Sequence, residues 1–585
     1  MKLKKIIFRD IVYYATDFTV ILCAVILATS VLLGALLTGD SINTSLKYIV
    51  DLNLGKTRTV INNNQNLFNT DLQNRINSNK QLLCSSILLN QSFIDEKNKN
   101  KQVNIFGVTN VFFRFALEKN NIQIPDPGNI YINKKTAHEF DLKKGDYIVL
   151  NLIKPSLKPA ESIITDIDKN IVKTRVKITK IIGPQNLGDF SLNTTQYAQY
   201  NGFVDNNWLN AKLGLTGKSN LMLFDKNDTQ FISNQIKHNL KFNDLSIKIK
   251  KYNHKNILAN ENFFFKDTTK NTIEKIYNKK QINYIFTWFI NSGKNSNQEE
   301  SVNYIFISGI QNNLIQEFGM KDLNDNEIII ADYIAEKLKL KINDKINLKY
   351  YKVQSAAGLI EEQAEFIIKK IVDIEHTVIS NKLSPEFPGL TDVEYCTQWD
   401  PSIPINLDFI TEQDKQLWKK YGAAPRMFIS FKKAQKLWKN RFGNFTGIIL
   451  QNKLNINEFK QNFIKKINPV DLGFHIFPVY NIARENSEKA IDFKGLFSGL
   501  SMFVIISAII LLSLIINLYI EKRNNSITLF KVIGFNNSQI KQIFFRELIV
   551  VIIAGILTGL VTGTYITKFI MYSSANTSES YFKHP

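Results

Sequence analysis

The chain is poor in the residues that most enzymatic chemistry draws on. Its 585 residues hold only six histidines, each isolated from the others. Neither H-E-x-x-H nor G-x-S-x-G occurs, so the signatures of zinc peptidases and serine hydrolases are missing. A phosphate loop is missing too. GLTGKS (Gly214–Ser219) mimics the end of one, but Lys212 stands where the first glycine must fall. The formal net charge of +21 is not gathered into a basic stripe with interleaved aromatics; lysine is high everywhere. A dedicated nucleic-acid surface is therefore not indicated. What is present instead is absence of charge over long stretches.

Leu496–Ile520 carries no charged side chain, and neither do Leu548–Thr567 and Phe18–Leu37. Helices of these lengths cross a hydrocarbon core about 30 Å thick at about 1.5 Å per residue. Unpaired backbone groups in lipid cost several kcal/mol each, so such segments span as helices or not at all. Lys2, Lys4, Lys5 and Arg9 precede the first run, and Lys522, Arg523, Lys531, Lys541 and Arg546 lie between the other two. Short loops rich in Lys and Arg stay cytoplasmic. The expected layout is a cytoplasmic amphipathic segment over 1–17, spans at 18–37, 496–520 and 548–567, and a cytoplasmic loop over 521–547. Residues 38–495 and the tail 568–585 then lie outside. The first apolar run exceeds the 7–15 residues of a signal peptide, and GALLTGDS is a poor cleavage site. Cys23 falls in the first span, whereas Cys84 and Cys396 lie on the outer side, where a disulfide between them can persist. The outer region is too long for one core, so two or more lobes are expected.

That region repeats itself. NIYINKKTAHEFDLKKGDYIVLNL (Asn129–Leu152) recurs as EIIIADYIAEKLKLKINDKINLKY (Glu327–Tyr350) at an offset of 198. Each copy reads as a strand, one or two turns of helix, a tight turn and an alternating strand. The turn residue is Gly145 in one copy and Asn343 in the other, the two residue types that enter the left-handed region at least cost. A second pair matches in pattern. NLMLF, a helix with Ile232, Ile236 and Leu240 on one face, and LSIKIKK parallel TGIIL, a helix with Phe459, Phe463 and Ile467 on one face, and FHIFPVY. The fold class is thus an α-helical membrane protein of three spans with a large α+β extracytoplasmic region. That region is built of duplicated β-rich lobes (near 129–190 and 327–375) and βαβ lobes (near 220–250 and 446–480).

The cytoplasmic loop divides in two. SITLFKVIG suits a short helix that Gly534 ends in the left-handed conformation. FNNSQIKQIFFREL restarts a helix, capped by Asn537 or Ser538, that runs directly into the third span. Within that span Gly555, Gly559 and Gly563 form a doubled G-x-x-x-G, a face for close helix packing.

E-x-R, a short helix ending in V-I-G-F, a polar cap, an apolar turn, and R-E-L leading into a glycine-rich span together resemble the FtsX-like (MacB-type) ABC transporter permease family. GALLTGDSINTSLKYIVDLNLGKT, FPGLTDVEYCTQWDPSIPINLDFI, LWKKYGAAPRMFISFKKAQKLWKNRFGNFTGI and AIDFKGLFSGLSMF are similar to segments of the large members. The chain resembles their N-terminal half. The resemblance implies a multi-pass subunit of the cell (inner) membrane without its own ATPase site or cofactor. Its implied partners are a cytoplasmic ABC ATPase, a second permease chain or copy, and the lipid bilayer. ATP hydrolysis would move the outer domains, in export or in lipid or lipoprotein handling. The short helix, about Ser526–Gly534, would seat on the ATPase through Phe530, Val532 and Ile533, with Lys531 and Arg523 at the rim and Gly534 ending it. A minimal member has four spans, whereas this chain stops after its third. Either a second polypeptide supplies the remainder or the chain is a truncated copy.

Two other readings compete. Asp392, Glu394, Asp400, Asp408, Glu412 and Asp414 could pair or hold calcium, but their spacing matches no ligand loop, so a surface loop and no metal site is expected. Trp399, Trp418 and Trp438 lie nearby, where packing beneath a long loop is favoured over an open groove. The remaining alternative is a binding or sensor protein anchored at both ends, without ATPase coupling.

Overall fold

The computed structural model describes residues 9–577 except 63–66, 97–98, 119–121, 155–170, 194–197, 246, 253–254, 262, 278–280, 296–299, 355–357, 388–389, 392, 396–398, 400–404, 441, 451–454, 473 and 490–492. The chain falls into two compact units. One comprises residues 1–55, 190–198 and 480–585; the other comprises 56–189 and 199–479.

The first unit carries three helices long and apolar enough to cross a membrane. Ala15–Leu54 is one 40-residue helix, about 60 Å long at about 1.5 Å per residue. It continues well past the apolar run with no proline to interrupt it, and its hydroxyls are satisfied within their own helix. Thr38, Thr44 and Ser45 each donate to the carbonyl four residues earlier. The helix stops at Gly55, whose φ of +55° requires no side chain and whose N–H closes on the carbonyl of Asp51. The other two are Phe493–Lys522 and Asn537–Thr577. Between them lies the short helix Asn524–Val532. Phe18, Ile21, Val25, Tyr519, Ile540, Phe544 and Val551 form one apolar cluster shared by all three long helices.

The second unit holds two nine-stranded sheets of the same topology. In hydrogen-bonded order the first runs His475–Phe477, Thr59–Asn62, Leu221–Phe224, Cys84–Glu96, Lys99–Val108, Asn201–Asp205, Asn129–Asn133, Ile171–Ile182, Tyr147–Ile153, and this last strand pairs back onto Cys84–Glu96. The second runs Ile247–Tyr252, Lys255–Asn260, Gly447–Leu450, Ile282–Asn295, Ser301–Ile310, Met427–Ser430, Glu327–Ala331, Gly358–Val372, Lys345–Gln354. Duplication reaches into local detail. Gly145 and Asn343 both take positive φ, +103° and +73°, and donate to the carbonyls of Ile178 and Ile368. Asp146 and Asp344 close the same turn by accepting from the backbone N–H of Lys143 and Lys341. The parallel pairings of Asn129–Asn133 with Ile171–Ile182 and of Glu327–Ala331 with Gly358–Val372 slip register at Ile130/Tyr131 and at Ile328/Ile329.

The strand–helix–strand units differ from their reading in one respect. Leu221–Phe224, the helix Thr229–Asn239 and Ile247–Tyr252 all form, but the last strand does not return to its own sheet. It pairs with Lys255–Asn260 at the edge of the second sheet. Reciprocally, His475–Phe477 leaves the second copy and pairs with Thr59–Asn62 at the edge of the first. The two copies have exchanged their terminal strands. The shared core explains why this holds. Ile232 and Ile236 of one helix and Phe459 and Phe463 of its counterpart Ile456–Lys466 are all fully buried in one cluster. Phe242 packs edge-on against both phenylalanines, at 6.2 and 6.1 Å.

Candidate functional site

The site with chemistry to it is the turn between the second and third membrane helices. The second helix ends at Lys522, and after Arg523 the chain starts the nine-residue helix Asn524–Val532. Gly534 reverses it at φ +97°, while the N–H of Phe535 bonds the carbonyl of Phe530. The third helix then starts at Asn537, and the carbonyl of Asn536, ahead of both Asn537 and Ser538, accepts its first bonds, from the N–H groups of Gln539 and Ile540. The side chain of Gln539 accepts from the backbone N–H of Asn536 at 3.1 Å, one half of a capping box.

Leu529, Val532 and Ile533 are 60, 80 and 64% exposed, and Lys531 and Gly534 are exposed beside them. Three large exposed apolar side chains thus lie together at the C-terminal end of the short helix. Phe530, expected among the exposed anchors, is half-buried, with its ring 5.5 Å from that of Phe535 and packed against the apolar cluster of the helices. Leu529 faces outward in its place. Arg523, expected at the rim, is 1% exposed. Its guanidinium is drawn inward by Glu547 and Asp10, at 2.6 Å each.

The glycines of the third helix face the first. A Cβ on Gly555 would lie 2.8 Å from Val25, one on Gly559 1.7 Å from the hydroxyl of Thr29, and one on Gly563 3.1 Å from Leu33. Ser30 donates to the carbonyl of Gly559 at 3.2 Å across this close approach.

Other candidates are occupied by structural work. Lys218 of GLTGKS pairs with Glu261, and Ser219 lies in a two-residue strand, so no loop wraps a phosphate there. Among the described acids, Asp414 forms a capping box with Thr411 and pairs with Lys337, and Glu412 pairs with Lys415. Asp392 and Asp400 lie outside the described residues. No group of three or more His, Cys, Asp or Glu that could hold a metal occurs among the described residues. Trp399, Trp418 and Trp438 are buried, the first two edge to face at 4.7 Å. Cys84 is a buried free thiol, and Cys396 lies outside the described residues.

Residues 498–585 match the model of the family described as FtsX-like permease C-terminal. No curated protein matches the chain. Among solved structures, the periplasmic region of MacB from Actinobacillus actinomycetemcomitans is 9% identical, with a TM-score of 0.22 over 32% of this chain and 84% of that one. The extracellular domain of the noncanonic ABC-type transporter YknZ from Gram-positive bacteria is 9% identical, with a TM-score of 0.20 over 31% and 88%. A domain of a putative permease protein from Porphyromonas gingivalis is 12% identical, with a TM-score of 0.18 over 29% and 75%. The family read from E-x-R, V-I-G-F and R-E-L is thus the one whose model matches this chain, over residues 498–585.

Proposed function

We propose that the chain is the permease subunit of an ABC transporter, driven by a separate cytoplasmic ATPase that seats on the helix Asn524–Val532. The observation that carries this reading is the exposed apolar set Leu529, Val532 and Ile533 between two membrane helices, within the segment that matches the FtsX-like permease family. Burial of such side chains against a partner stabilises a complex by about 1.5–3 kcal/mol each. In this reading the ATPase lies on the cytoplasmic side, and the two-sheet body is extracytoplasmic and is moved by ATP-driven displacement of the helices. A second permease chain or copy is the partner within the membrane, which is the cell (inner) membrane.

Co-purification of an ABC ATPase with the full chain tests the reading. The double variant Val532→Asp/Ile533→Asp should lower recovery of the ATPase at least tenfold, because two charges would replace apolar contacts. Unchanged recovery would remove this helix as the seat.

A further inference from the structure

Arg523 stands at the N-cap position of the short helix, and its side chain reaches the second and third membrane helices and the turn that leads into the first. One terminal nitrogen donates to Glu547 of the third helix at 2.6 Å and to the hydroxyl of Tyr519 of the second. The other donates to Asp10, in the helical turn ahead of the first, at 2.6 Å. Tyr519 in turn donates to Glu547 at 2.9 Å. The guanidinium plane rests on the rings of Tyr14 and Phe544, at 4.4 and 4.6 Å. Glu547 is fully buried, so both charges have left water. Lysine, a compact charge on one nitrogen, would not reproduce the planar fork that reaches Glu547 and Asp10 from separate nitrogens.

Burying such a pair is costly, and two apolar residues of similar size would serve packing as well or better. Among the described residues, Nε of Arg523 and Oε1 of Glu547 have no hydrogen-bond partner. A costly, directional link at the root of a helix with an exposed apolar face suits transmission better than packing. We propose that Arg523 is a positioning residue, the joint that passes displacement of the short helix to the first and third membrane helices through Asp10 and Glu547. The joint rests on the coupling role of that helix, but its geometry can be tested without an ATPase.

The experiment is amide hydrogen exchange on the full chain in lipid nanodiscs, comparing peptides from 524–534 with peptides from the third helix. Arg523→Ala and Glu547→Gln should raise exchange across 524–534 at least tenfold, whereas the exposed Lys531→Ala should leave it unchanged. The paired variant Arg523→Met/Glu547→Leu guards against simple misfolding. It should return the third helix to the native rate while 524–534 stays fast, because packing is restored without the link. Native rates at both places in that variant would reduce the cluster to a packing contact and overturn the joint. So would native rates over 524–534 in Arg523→Ala. Failure of ATPase co-purification with these exchange patterns intact would sink the coupling reading alone.

Discussion

Cys84 begins its strand with no exposed surface. Burial, and then the nearby carboxylate of Asp225, push its thiol well above the usual range. The sign is plain. Both causes disfavour the thiolate, so the group stays neutral at about pH 8, where a free cysteine is already partly ionised. Alkylation by iodoacetamide should be at least a hundredfold slower in the native chain than in denaturant, read by mass spectrometry of the Cys84 peptide. If the unfolded chain required reductant before Cys84 reacted, a disulfide to Cys396 would be the cause. Arg523 shows why some residues were hidden in the sequence. A cation in a short loop counts toward orientation, and its burial depends on Asp10, Tyr519 and Glu547, one of them more than 500 residues away in the chain. Glu547 was visible within R-E-L, but the letters carry no sign of what it faces.

Among the elements, the third membrane helix was the most legible. Glycines at every fourth position share one face whatever the rest of the fold does, and the first helix lies against that face. Gly559→Ala should therefore be costly although alanine favours helices. Its methyl group meets the hydroxyl of Thr29, which already donates to the carbonyl of Val25 at 2.7 Å. Overpacking of this kind costs about 1–3 kcal/mol and should appear as a lower unfolding midpoint in nanodiscs. Gly499, with nothing within 4 Å of its Cβ position, should tolerate alanine without loss. The short helix was legible as an element, though it starts and ends two residues earlier than expected, at Asn524–Val532, but not in its rotation. Nine residues give too little periodicity to tell which of Leu529 and Phe530 turns inward, and the ring of Phe535 settles that by packing.

At the scale of the molecule, the duplication was readable because a positive-φ turn and an alternating strand leave strong marks on sequence. The exchange of terminal strands was not. An alternating strand records which face is buried, never which neighbour it hydrogen-bonds to. Ile247–Tyr252 and His475–Phe477 look the same whether they pair at home or away. The arrangement predicts where a disturbed strand is felt. Ile249→Asp in Ile247–Tyr252 should speed amide exchange in its partner strand Lys255–Asn260 of the second copy and leave Leu221–Phe224 of its own copy at the native rate. The reverse pattern would contradict the pairing.

Each copy finishes the other's sheet, so neither is a module that recombination could lift out or replace whole. Any change in one copy is tested against a strand and a set of phenylalanines inherited from its twin. The two halves must therefore evolve as a couple, however far their letters drift.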